Sequence, residues 1–487
     1  MCAGCRLAMS QAASQCKSAI GARGAKRFSV NHLVITRLDA HVAWIGLLML
    51  SVFLWTKISF STQGTGWLYL PAFAVNVAIV TTLRLRSGVR LSLGLSAPWV
   101  VLFGAWFLTR LLLDAESIAD VLGYTIGYGE GIFFAYGLGV STRVLLDAVG
   151  RSPSAPFRWV FAMLLFAFNA WSAMRVEETA LSAGSLHREY AFFDNDTYQL
   201  SGALAGVLAI VTASLLVRSS DEPARGMARI AKWALLLNAA ATFAMMARLS
   251  QLLGSNAGLA FIVPIAVLSI ATAWVGVRPP TMNALARGTQ CLRSFLRALA
   301  SVCATAVLLA AACAGAIVFA VANGVIDITR YRAFGFEESS LYNPSVDSRL
   351  RILAENFPKH LVHSPFFGHF FVDRITTGDG TYVHGLVAVL PHLGIVGAIL
   401  FITMLVGIGA QLRSQWRASR RGSREARFAM LAILLTAWVV GYMLLTTFFT
   451  NVILWMSLGL FAPALRLREP PSEMSDIGLA HSGPSKF

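Results

Sequence analysis

The chain has 487 residues, 56% of them hydrophobic and 13% charged, with 40 Lys+Arg against 24 Asp+Glu and a formal net charge of +16. A soluble globular domain carries about 25% charged residues, and a mean hydropathy of +0.65 points the same way. These numbers exclude a soluble enzyme, a disordered scaffold and a disulfide-built secreted module, and leave a polytopic integral membrane protein, which the length of the apolar runs below makes all-α.

Residues 1–40 are polar and basic and hold Cys2, Cys5 and Cys16. They contain no apolar core of signal-peptide type, so the first span is expected to act as its own uncleaved insertion signal. The Cys2-x-x-Cys5 pair has no second pair at zinc-finger spacing, and no metal or other cofactor is expected.

Apolar runs follow at about 41–56, 66–82, 91–109, 121–141, 159–174, 199–217, 233–252, 257–277, 298–322, 382–410, 428–448 and 452–465. A spanning helix needs about 20 apolar residues, so the expectation is about twelve transmembrane helices. Prolines inside several runs, Pro71, Pro98, Pro264 and Pro391 among them, are tolerated where neighbouring helices re-satisfy the freed backbone groups. The division is therefore a basic cytoplasmic tail over 1–40, helices 1–9 over 41–322, a large outer loop over 323–381, helices 10–12 over 382–466, and a disordered cytoplasmic tail over 467–487 that is rich in Pro, Ser and Gly.

With the N-terminus in the cytoplasm, the tails and alternate loops on that side hold most of the Lys and Arg. The opposite side holds more acids than bases. By the positive-inside rule both termini are cytoplasmic, and the net charge reflects topology and contact with anionic membrane lipids, not a nucleic-acid partner. Glu130, in Gly127-Tyr128-Gly129-Glu130-Gly131, falls inside the fourth run. A carboxylate at that depth must be paired, hydrated or protonated, so it is expected either in a structural ion pair with an arginine or in a cavity. Arg110 and Arg248 stand near the outer ends of the third and seventh runs. Ionisable residues there mark ion, substrate or partner sites, the alternative being snorkelling to the interface.

The informative region is 345–400. Leu350, Leu353, Phe357 and Leu361 recur at helical spacing within 348–363, which predicts an amphipathic helix at the outer interface, interrupted near Pro358. Arg349 and Arg351 open it; two residues apart, they point to different faces. A turn follows at His363-Ser-Pro365-Phe-Phe-Gly368, where His363 is expected to support the turn. The polar stretch Thr376–Gly380 comes next, then His384 at the mouth of the next span, with Gly394 and Gly397 opening its apolar part.

In order, an Arg opening an interfacial helix, a Pro–aromatic–Gly turn, a His and a Gly-containing span start resemble the O-antigen ligase and O-antigen polymerase superfamily of bacterial envelope enzymes. Arg349 or Arg351, Pro365-Phe-Phe-Gly368, His384 and Gly394-Ile-Val-Gly397 fill those places. One departure is that Gly385 follows His384 where the family usually has Asn. The resemblance implies a glycosyltransferase-C-like helical bundle in the bacterial inner membrane, with the large loop between helices 9 and 10. It implies a metal-independent, inverting transfer of a glycan from undecaprenyl diphosphate to a sugar acceptor, either lipid A–core or a second repeat unit. Arg349, Arg351, Arg248 and Arg110 would hold the diphosphate, since preorganised guanidinium groups stabilise charge building on a departing phosphate. His384 would orient or deprotonate the acceptor hydroxyl. The competing expectation is a secondary transporter or lipid-linked glycan flippase, with Glu130 as an ion or proton site.

Overall fold

The computed structural model describes residues 96–149, 206–207, 209–218, 227–252, 256–275, 288–324, 344–378, 383, 385–419, 423–444 and 449–461, with scattered positions between 42 and 82. The predicted spans at 41–56 and 159–174, apart from Val42 and Gly46, lie outside these residues, as do both tails.

Among the described residues every extended element is helical. In chain order they are α1 (Ala97–Asp114), α2 (Ile118–Tyr124), a π-helix (Thr125–Ala135), α3 (Tyr136–Val149), α4 (Ala209–Arg218), α5 (Met227–Leu252), α6 (Asn256–Trp274), α7 (Gly288–Ala322), α8 (Pro344–His363), α9 (Val372–Thr376), α10 (Val389–Ala418), α11 (Ser423–Met443) and α12 (Val452–Phe461). Four stretches, Ala97–Asp114, Leu292–Ala322, Leu386–Arg417 and Glu425–Met443, are long and apolar enough to cross a membrane. This is an apolar, all-helical chain of membrane-protein type.

The core lies where α1, α3, α10 and α12 meet. Phe103 of α1 is fully buried and stacks on Trp455 of α12 at 5.4 Å, with Phe401 of α10 also at 5.4 Å. The crossing of α3 and α12 is close because it is made by glycines. A Cβ at Gly139 would strike the Met456 carbonyl, and one at Gly459 the Tyr136 carbonyl, the small-residue packing that membrane helices use in place of a hydrophobic drive.

The far end of this bundle is closed by a buried ion triad. Arg143 Nε donates to both oxygens of Asp147 at 3.1 and 3.2 Å, and Arg218 pairs with the same carboxylate. Both guanidinium groups lie over the Phe428 ring, at 4.4 and 4.1 Å.

Two predicted features are corrected. The helix expected over 348–363 begins earlier, at Pro344, so Arg349 and Arg351 do not open it, and it runs unbroken to His363 with Pro358 inside it. Pro358 and Ala354 are both exposed, so the carbonyl that loses its N–H partner at the proline can be solvated. Gly394 does not open a span: it interrupts α10, with φ 68° and ψ −175°.

Candidate functional site

The break in α10 organises the end of the bundle that carries 344–378. A glycine at φ +68° permits a backbone turn that L side chains rarely adopt. It also strips Ile395 and Val396 of helical acceptors. The turn after α8 supplies replacements: Ile395 N–H donates to the Pro365 carbonyl at 3.0 Å and Val396 N–H to the Phe366 carbonyl at 3.3 Å. On the other side of the break, the Leu393 carbonyl accepts from Trp106 Nε1 at 2.8 Å and the Pro391 carbonyl from His369 N–H at 3.1 Å. These bonds account for backbone groups that the break would otherwise leave unpaired among apolar helices. The approach is tight enough that a Cβ at Gly368, itself at φ +71°, would lie 2.6 Å from the His392 carbonyl oxygen.

The turn is also held from α1. Arg110 Nη2 donates to the Gly368 carbonyl at 2.9 Å and pairs with Asp114, whose other oxygen accepts from Phe370 N–H at 2.7 Å. Arg110 and Asp114 are only 12% and 6% exposed. A carboxylate at a helix C-terminus meets the negative end of the helix dipole; the guanidinium and the Phe370 amide offset that. Ser364 Oγ donates to the Gly368 carbonyl at 2.9 Å and completes the clasp.

Three histidines lie around it. His392 donates from Nδ1 to the Phe370 carbonyl at 2.7 Å and is buried. His360 is fully buried and bonds through Nε2 to Thr377 Oγ1 at 2.9 Å, while its Nδ1 has no hydrogen-bond partner among the described residues. His369 is half-buried, lies 5.9 Å from the exposed His363 ring, and accepts Phe371 N–H at Nδ1 at 3.2 Å. That bond places the proton of the neutral ring on Nε2. Burial holds His369 below the ordinary imidazole value; Asp114 and Asp373 oppose this, and Arg110 and His363 reinforce it. Burial likewise lowers His360, opposed by Asp373 and reinforced by Lys359.

On the far side of α9, Arg374 Nη2 donates to the Tyr124 hydroxyl at 2.6 Å. Its guanidinium lies 4.8 Å over Phe371, and Nη1 is 3.6 Å from Asp120. Tyr124 stacks on Tyr128 at 5.3 Å. Arg374 thus fastens α9 to α2 and, through it, to the π-helix that carries Glu130.

Of the residues singled out in the sequence, Arg110 and the Pro365–Gly368 turn are brought together, and so are that turn and the Gly394–Gly397 stretch. Arg110, expected on the diphosphate, spends its charge on Asp114 and its Nη2 on the turn. Arg351 is exposed on α8, and His363 is exposed where α8 ends. Arg349, Arg248 and Glu130 occupy helical positions in α8, α5 and the π-helix, but their side chains fall outside the described residues, as does His384. Asp114, Trp106, His369 and Arg374 lie beyond the site residues expected from the sequence. The four-residue spacing of Arg110 and Asp114 was a readable ion-pair signal. Nothing in sequence marks Trp106 as the partner of Leu393. No group of three or more His, Cys, Asp or Glu side chains able to hold a metal ion occurs among the described residues.

No known family model matches the chain, and no curated protein matches it.

Proposed function

We propose that the protein is a glycan transferase that uses a polyprenyl-diphosphate-linked donor, resembling O-antigen ligases and polymerases, in the bacterial inner membrane with both termini cytoplasmic. In this reading the bundle has about twelve spans and a glycosyltransferase-C-like layout. The observation that carries the proposal is the closure of Pro365-Phe-Phe-Gly368 on Gly394-Ile-Val-Gly397. Two motifs separated in sequence by a loop form one hydrogen-bonded unit, clasped by Arg110, directly after α8, which begins at Pro344 and carries Arg349 and Arg351 in its first half, not at its start.

The chemistry asks two things of the chain. The glycosidic C1–O bond breaks with its electron pair leaving on the diphosphate, and cationic groups at the lip offset that charge; losing one such donor typically costs about 2.7–4 kcal/mol of barrier. Arg349, Arg351 and Arg248 are the proposed donors, with Arg110 acting through the turn it holds. The acceptor hydroxyl attacks C1 from the opposite face, which inverts the anomeric centre, and passes its proton to His384. The acceptor is lipid A–core or a second repeat unit.

The test is to incubate the purified protein with a polyprenyl-diphosphate-linked oligosaccharide and each acceptor. The expected result is glycan transfer with release of polyprenyl diphosphate, reduced at least tenfold by Arg351→Ala and by His384→Ala. Undiminished transfer in both variants would remove these assignments, and no transfer to any acceptor would remove the reading.

A flippase or secondary transporter is favoured by one feature, the pairing of a broken helix at Gly394 with an eleven-residue π-helix around Glu130, since discontinuous helices are the common device of transporters. Translocation of a lipid-linked glycan in proteoliposomes with no transfer product identifies that alternative.

A further inference from the structure

The clasp has an apolar outer surface. Val362, Phe366 and Phe367 are 81%, 66% and 56% exposed, although Phe366 and Phe367 flank the backbone that closes the α10 break. Exposed aromatics on a turn are costly in water. They are not isolated. Along α10, Ile395, Ile399, Ile402 and Val406 are all exposed, at 40%, 58%, 59% and 65%. The steps of four, three and four residues put them on one helical face, about 16 Å long at 1.5 Å per residue.

Because Ile395 and Val396 take their acceptors from Pro365 and Phe366, the turn sits directly on the end of that stripe. Phe367 also packs 6.2 Å from the Trp106 ring of α1. Beyond the turn the surface changes character: Arg351, Glu355, Lys359 and His363 are exposed on α8. Apolar stripe, aromatic pair, then cations and polar groups is the order in which a protein surface crosses from hydrocarbon into headgroups.

We propose that the Pro365–Gly368 turn is a membrane-embedded wedge. Phe366 and Phe367 contact the acyl chains of phospholipids in the leaflet on that side, and Arg351 and Lys359 meet their headgroups. The backbone supports this independently. Polar backbone at that depth is costly unless it is paired, and here the Pro365 and Phe366 carbonyls are taken by α10, the Gly368 carbonyl by Arg110 and Ser364, and the Gly368 amide by the Ser364 carbonyl. Four of the turn's backbone groups are thereby withdrawn from the lipid. The wedge also fixes the depth of the site: His363, His369 and the Arg110–Asp114 pair come to lie at headgroup level. This inference does not depend on glycan transfer and holds equally for a transporter.

The experiment places trifluoromethylphenylalanine at position 366 or 367 of the full chain, reconstituted in phosphatidylethanolamine–phosphatidylglycerol nanodiscs. Fluorine relaxation is then measured against dissolved oxygen, which concentrates in hydrocarbon, and against a water-soluble nickel chelate. Position 371, where the native Phe is buried, is the protected reference. The expected result is a several-fold larger oxygen effect at 366 and 367 than at 371, a nickel effect no larger than at 371, and broadening by lipids carrying a nitroxide near the headgroup end of the acyl chain. A dominant nickel effect means the turn stands in water and overturns the proposal. Protection from both agents means another segment or a second copy covers it, which overturns it equally.

Discussion

Arg110 and Asp114 stand one helical turn apart on α1 and divide a single loop between them: the guanidinium holds the Gly368 carbonyl at 2.9 Å and the carboxylate holds the Phe370 amide at 2.7 Å. Each also neutralises the other. Removing either one strands the partner's charge in a poorly hydrated place and frees the loop.

The first prediction follows from that division. Asp114→Ala leaves a buried guanidinium unpaired and an amide unsatisfied, and is expected to destabilise by about 3–5 kcal/mol. Arg110→Ala is expected to cost a similar amount, and the double variant less than the two together because they share one interaction. Denaturant titration in detergent micelles measures all three. Additive losses contradict the coupling.

Gly394 and Gly324 have the same φ, +68°, in different surroundings. A Cβ at Gly324 meets nothing within 4 Å, whereas one at Gly394 meets the Phe366 carbonyl oxygen and the Gly368 amide. Gly324→Ala is expected to cost only the left-handed strain, about 1–2 kcal/mol. Gly394→Ala should lose that and the junction between turn and helix as well. Equal thermal shifts for the two variants would show that the turn does not close on α10.

The histidines set a pH dependence whose sign is fixed. His360 and His369 have folded values lowered by burial, below about 6.5 in the unfolded chain. The unfolded state therefore binds more protons in that window, and stability is complete above the unfolded value and lost as pH falls through the folded values. The melting temperature is expected to be level above neutrality and to decline below pH about 6.5. His369→Gln should shallow that decline. A melting temperature that rises on acidification would sink this assignment.

At the opposite end, Asp147→Ala leaves Arg143 and Arg218 facing each other across Phe428 with no carboxylate between them. The side chains in that triad are 8–10% exposed, and the expected loss is about 3–5 kcal/mol. Asp120→Ala removes a partner of Arg374 whose side chains are 25% and 36% exposed. It is expected to cost about 0–1 kcal/mol, as surface pairs do. Parallel unfolding curves distinguish the two; similar losses would contradict the difference in burial.

How much of this was legible in the chain differs by level. Hydropathy placed the third predicted span at 91–109, against a helix from Ala97 to Asp114. The helical spacing of Leu353, Phe357 and Leu361 marked α8. Among its described side chains the buried one is His360, which apolar periodicity does not mark. The motifs at 365–368 and 394–397 were readable as separate signals. Their union was not, nor was the break at Gly394, because a glycine in an apolar run reads equally as helix packing or as a kink. The π-helix at Thr125–Ala135 left no signal beyond its alternating glycines.

Composition and local periodicity are properties of neighbouring residues, so the sequence by itself determined that this chain is all-helical, apolar enough to occupy a membrane, and richest in chemistry between 345 and 400. What only the tertiary structure decided is which groups meet. Arg110 finds Gly368 across 258 residues, Trp106 finds Leu393 across 287, and Arg218 finds Asp147 across 71. Those partners are selected by the demand that every buried amide, carbonyl and charge be answered within the folded bundle, and that demand has no expression in any short stretch of residues.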